Sequence, residues 1–236
     1  MARIKRLEKH SLLSVISPSE FALLPGSPLC YWTTSKLRRH YGNLPKLHPH
    51  FAYVGTGTSH PRLFCRYHWE TRSVDIGVGK KWVGYANGGP RSLGYRDIEQ
   101  VCDWEDEGRR PKSEVCRRYP YLKGNYGFVI QSEDYYFQEG ITFGKRSEFF
   151  SVQHLPPGSI FSNEGQSIFP KDPGNIWPFI ALLNGAPVCY YLLLTAGVHK
   201  ERMYVRRVPI PKLTDRARET LSSLAKQAYG IKYSVK

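Results

Sequence analysis

The sequence predicts an α+β fold, a mixed or antiparallel β-rich body with a helical hairpin and a C-terminal helix packed on the sheet. Three observations predict it. Short β-prone pieces separated by Gly, Pro, Asn and Asp fill residues 51–169. Continuous apolar helical texture sets in only after Pro173. A last run, opened by Thr214 and Asp215, places Ala217, Leu221, Leu224, Ala225 and Ala228 on one face at helical spacing. Strands first and helices last is the order of an α+β domain.

Taken in order, Ser17, Pro18 and Glu20 form a capping box, so a short helix starts there and stops at Pro25-Gly26. The clearest strand is 62–70, where Leu63, Cys65, Tyr67 and Trp69 alternate with Arg62, Phe64, Arg66 and His68, the period-two signature of one buried face. Further strands are predicted at 81–85, 99–104, 126–130, 135–138 and 149–155. Residues 176–183 are apolar, Asn184-Gly185 breaks the run, and Pro187 opens a second helix through Thr195. Residues 207–211, RRVPIP with Arg206, form an extended connector to the last helix. Residues 1–26 read as a basic segment with a short helix, 27–172 as a β-rich recognition region, and 173–236 as the helical part of the same domain.

The 236 residues carry 34 Lys+Arg against 20 Asp+Glu, a formal charge of +14, so an acidic partner is expected. With 41% hydrophobic and 14% aromatic residues the chain has material for a core, which excludes a disordered basic tail. Mean hydropathy is −0.45, and the longest apolar stretch, 188–194, is far short of the roughly 20 residues a spanning helix needs. No secretory signal is readable at the N-terminus, and a cytoplasmic location is expected. The five cysteines form no CxxC pair and read as reduced, small hydrophobes.

Catalytic signatures are missing from the string. There is no GxxxxGK[ST] loop, no Asn-Pro-Pro-aromatic loop to hold a flipped base and no glycine-rich cofactor loop. The chain is therefore expected not to be an enzyme by itself and to hold no cofactor or metal. Asp97, Glu99, Asp103, Glu105, Asp106 and Glu107 are the carboxylates a metal nuclease would use, yet DWEDEG ending at Gly108 reads as a solvated turn. His48 and His50 in LHPH read as a surface turn, and Ser59-His60 lies in no nucleophile elbow. Binding remains. Basic residues interleave with aromatics at Arg62, Arg66, Tyr67, Lys80, Lys81, Tyr85, Arg91, Tyr95 and Arg96, then at Lys145 and Arg146. Cations for phosphates beside amides and planar groups for base edges are the components of a nucleic-acid reader. A protein-interaction module for an acidic partner has the same composition, and a small nuclease using Asp97 and Glu99 is the third reading.

Several strings, in order, carry a resemblance: SPLCYW, FCRYHWE, KWVGYANGG, DWEDEG, YYFQEGITFG, LPPGSIF, SIFP, LLNG and RRVPIP. The chain resembles the target-recognition domain of type IIG restriction-modification enzymes and of BREX-type adenine-specific DNA methyltransferases. The resemblance implies a double-stranded-DNA recognition module of a restriction-modification or phage-defence system. Its partner would be a separate adenine methyltransferase that binds S-adenosylmethionine. Where the family carries an acid and an amide, GTGTSHP has Ser59, His60 and Pro61, and Asn87 stands where the family shows a lysine.

On this reading the base-reading candidates are Thr56, Thr58, Ser59, His60, Asn87, Arg91 and Arg96, with Asn87, Arg91 and Arg96 among glycines that let the backbone approach a groove. The phosphate-binding candidates are Lys80, Lys81, Thr142, Lys145 and Arg146. Tyr136 and Phe137 are expected to fill a core.

Overall fold

The computed structural model of the chain describes residues 15–47, 52–89 and 91–234. Its strands are β1 (Ala52–Tyr53), β2 (Cys65–Tyr67), β3 (Trp82–Ala86), β4 (Gln100–Asp103), β5 (Gly140–Gly144), β6 (Val152–Leu155), β7 (Ser159–Phe161) and β8 (Gly165–Ile168). One sheet has the order β1-β8-β5-β6 and is antiparallel throughout. The other has the order β2-β4-β3-β7, with β3 and β7 parallel and the remaining pairs antiparallel. The helices are α1 (Pro18–Phe21), α2 (Ser35–Asn43), α3 (Pro61–Phe64), α4 (Glu105–Arg118), α5 (Ile176–Leu183), α6 (Ala186–Thr195), α7 (Arg202–Val205) and α8 (Asp215–Ser234). The fold is mixed α+β as predicted, but its order is not strands first and helices last, since α2 precedes β1 and α4 lies between β4 and β5.

Each sheet has its own core. Ile141, Phe143, Val152 and Ile168 of the antiparallel sheet meet Phe179, Ile180, Leu183, Tyr191 and Leu192 of the hairpin. Phe64, Val83, Cys102, Trp104, Val115, Ile160 and Phe161 form the second core, on the mixed sheet and α4. Side chains of this size each stabilise by about 1.5–3 kcal/mol when buried, so the two clusters hold the scaffold on which the surface loops stand.

The C-terminal half follows the sequence closely. Pro187 sits in the first turn of α6, and Asn184 between the helices bonds both the Val152 N–H and the Val152 carbonyl at 2.9 Å, tying the LLNG turn to β6. No single described helix is long and apolar enough to cross a membrane, and the α5–α6 pair bends by 73°. Thr214 Oγ1 accepts from the Ala217 N–H at 3.2 Å and starts α8. That helix packs on α5, and Tyr229 lies 5.3 Å from Trp177 and 5.5 Å from His154 of β6. Its buried stripe is narrower than the spacing predicts: Ala225 is buried while Leu224 is 55% exposed. The connector is extended only from Val208, since Arg206 and Arg207 turn on from α7 with Arg207 N–H donating to the Tyr204 carbonyl; beyond them Leu47 N–H donates to the Val208 carbonyl and Ile210 N–H to that of Pro45.

The middle of the chain differs more. The strand predicted over 62–70 is only β2, because Pro61 starts a helical turn before it and a 3₁₀ turn, His68–Glu70, follows. The buried residue there is Phe64, and Leu63, Tyr67 and Trp69 are exposed, opposite to the expected face. Residues 126–130 and 135–138 are not strands. Asn125 caps a 3₁₀ turn at Tyr126–Phe128, and Phe137 has φ 65°, outside strand geometry. Tyr136 is buried against Trp104 and Phe161, as expected of a core residue, whereas Phe137 is half-buried.

The strand in YYFQEGITFG is instead β5, buried on both faces, so it shows no alternation to read. DWEDEG does turn, with Asp106, Glu107 and Gly108 in left-handed conformations, but helical residues follow it to Arg118. The capping box at Ser17 does not close: Glu20 reaches Arg38 at 3.3 Å and Arg39 at 2.8 Å. His48 and His50 lie outside the described residues.

Candidate nucleic-acid interface

The site forms where β3 leaves the mixed sheet and crosses the antiparallel one. Glycines make the crossing possible: a Cβ on Gly165 would overlap the Ala86 carbonyl and the Gly88 nitrogen, and one on Gly89 would overlap the Arg96 guanidinium. The glycines of ANGG therefore admit the chain's own backbone and an arginine, which corrects the expectation that they face a groove.

Beside the crossing lies a cleft of about 190 Å³. One wall carries Asn87, whose Nδ2 donates to Gln100 Oε1 at 2.9 Å from β4. Arg96 lines the same wall, donating to the Gly88 carbonyl and standing 4.0 Å from Glu99. The floor is Thr142 and Gln153, register partners on β5 and β6. Gln153 Oε1 is buried and has no hydrogen-bond partner among the described residues. Tyr67 stands at the mouth. An unpaired buried acceptor costs about 1–3 kcal/mol, a cost carried beneath the cleft at Gln153.

Asn87 also borders a second depression, of about 400 Å³, with Gly89, Arg146 and Glu164. Arg146 is 64% exposed and pairs with Glu164 at 3.2 Å. Its loop is held from behind by buried Lys200, whose ammonium donates to the carbonyls of Ser147 at 3.0 Å, Glu148 at 3.1 Å and Gly197. Burial pushes the Lys200 ammonium below the usual lysine range. Arg91 lies over the Phe149 ring, 5.4 Å from its centroid, at the end of the same loop.

Asn87, Arg96 and Arg146 are thus brought together, with Arg91 beside the Arg146 loop. Lys80 and Lys81 are exposed at the other end of β3, six residues or roughly 20 Å from Asn87. They border a separate cleft opposite Glu105, Asp106 and Glu107. Other candidates are corrected by burial. Thr56 and Thr58 lie inside, because GTGT is a packed crossing in which Thr56 N–H donates to the Phe161 carbonyl at 2.9 Å. The Ser59 hydroxyl is buried as well, and its carbonyl accepts from Arg118, while His60 is exposed at the start of α3. Thr142 spends its hydroxyl on the Gly165 and Gln166 carbonyls at 3.5 and 3.2 Å. Lys145, 15% exposed, is paired with Glu201 at 3.2 Å rather than presented as a grip.

Gln100 and Gln153 escape sequence reasoning because only β pairing brings them to the cleft. Asp97 and Glu99 also line it, Asp97 accepting the Tyr95 hydroxyl. Among the described residues no three His, Cys, Asp or Glu side chains converge as metal ligands.

The fold and cleft define a basic α+β protein that presents amide and guanidinium groups at the junction of two sheets. No family model matches the chain. Over 222 residues, 90% of the chain, it is 27% identical to the adenine-specific methyltransferase BrxX of Escherichia coli O9:H4 (strain HS), of whose length the match spans 17%. The chain is a distant relative of that methyltransferase. This finding overturns the expectation of a non-enzyme, since the matched protein is named as an enzyme.

Proposed function

We propose that the chain reads double-stranded DNA for an adenine-specific methylation system of the phage-defence kind. The observation that carries this reading is the cleft edge, where Asn87, Arg96 and Arg146 stand together on a chain of net charge +14. Asn87 and Arg146 each have a task. The Gln100 carbonyl takes one Asn87 donor and so fixes the amide, leaving its other N–H and its oxygen for a base edge. Arg146 is exposed enough to take a phosphate in exchange for Glu164. The similarity to a protein named as an adenine-specific methyltransferase supports adenine methylation as the setting. The methyl donor and the catalytic partner of that setting are S-adenosylmethionine and an adenine methyltransferase.

Binding of labelled duplex to the purified chain, measured against salt, tests the proposal. With on the order of six phosphates neutralised, log K falls against log salt with a slope of about −5. Affinity indifferent to salt contradicts the reading.

A further inference from the structure

The mouth of the cleft carries a feature that duplex reading leaves unused. The Tyr67 and Trp69 rings stack with centroids 4.6 Å apart and an interplanar angle of 9°. Aromatic pairs of this kind bury large apolar areas in cores, yet Tyr67 is 42% and Trp69 62% exposed. Local geometry builds the stack. Glu70 accepts from the Tyr67 N–H at 2.7 Å and closes the His68–Glu70 turn, which brings ring 69 over ring 67. His68 braces Trp69 edge-on at 5.0 Å. Trp69 covers one face of Tyr67, and Tyr67 itself borders the cleft.

Inside, the polar groups suit a planar ligand. Gln100 is the register partner of Tyr67 and holds Asn87 through its Oε1, which leaves its amide N–H groups as donors, and Gln153 lines the floor. A volume of about 190 Å³ is below the roughly 300–1,000 Å³ of pockets for drug-sized ligands, which leaves room for a single ring system. Aromatic stacking beside hydrogen-bonding groups is the combination that holds a nucleobase withdrawn from its pair, because every base offers a π face and a polar edge. We propose that the cleft receives one unpaired DNA base, which adds a layer to the Tyr67–Trp69 stack while Gln100 and Gln153 bond its edge. The inference rests on the DNA-binding reading and extends it from paired to extruded bases.

The test compares two labelled DNA hairpins of one sequence at one salt concentration, one fully paired and one with a single bulged 2-aminopurine. The chain is expected to bind the bulged hairpin about tenfold tighter, and the 2-aminopurine emission to fall as the base stacks. Tyr67→Ala removes both effects, with its circular dichroism and thermal unfolding checked against the parent. Tyr67→Phe retains both, since the ring does the stacking. Trp69→Ala, outside the cleft lining, weakens the preference and leaves affinity for the paired hairpin unchanged. Equal binding of the two hairpins with undiminished emission, or a preference that survives Tyr67→Ala, overturns the base receptor and leaves duplex reading intact. Binding to neither hairpin overturns both.

Discussion

Asn87 illustrates how a side chain's partners decide its meaning. Held by Gln100 at 2.9 Å, its amide enters a groove already oriented, and a bidentate amide–base contact is worth about 1–3 kcal/mol of discrimination. Asn87→Ala is expected to relax preference at one base pair while nonspecific binding stays nearly unchanged. Lys200 acts at one remove. Lys200→Met leaves three loop carbonyls without their donor, so chemical denaturation should show a loss of about 2 kcal/mol. Its pH dependence has a definite sign. Because the folded value lies below the ordinary 10.5, the unfolded chain binds more protons between the two, and stability relative to Lys200→Met rises with pH across that window. Asn87, Arg96 and Arg146 were legible in the sequence by residue type and neighbourhood. Thr56 and Thr58 were misleading for a physical reason: a threonine in a glycine-rich string looks the same whether its loop faces solvent or threads between sheets, and here close packing buries both, while Thr142 is buried inside strand β5.

Elements marked by apolar runs and clear breakers were the readable ones. The hairpin, the Thr214 cap and strands β3, β4 and β6 follow from apolar runs, breakers and alternation. Strands β7 and β8 are buried throughout and β5 in all but its last residue, and the segment around β2 is cut by Pro61 and by the Glu70 turn, so neither shows its nature by period. Pairing is likewise invisible in one dimension, yet it can be checked chemically. Cys65 and Cys102 are register partners on β2 and β4, and opposed residues on antiparallel strands have Cα atoms about 4.5–5.5 Å apart, within disulfide range. Diamide treatment of the native chain should link Cys65 to Cys102 in preference to other pairs, as read by peptide mass spectrometry. A different dominant pair would contradict this register. The backbone crossing makes a second prediction. Gly165→Ala should destabilise by more than about 3 kcal/mol through overlap with β3, whereas Gly230→Ala, with open space around it on α8, should gain about 0.5–1 kcal/mol.

For the whole molecule, charge and architecture divide the work. Two cores fix two sheets, glycine crossings lock them together, and the junction exposes the amide and guanidinium groups on which specificity depends. The surplus of positive charge supplies attraction to any polyanion, so salt dependence alone separates DNA from a neutral partner but not from an acidic protein. Sequence preference makes that separation, since docking to a protein requires none. The most direct measurement is selection of bound duplexes from a randomised pool by the purified chain, followed by sequencing, with Asn87→Ala run in parallel. The account predicts one enriched motif for the parent chain and the same motif relaxed at a single base pair for the variant. A pool that stays random after several rounds, with the chain folded and the duplexes retained, would contradict it.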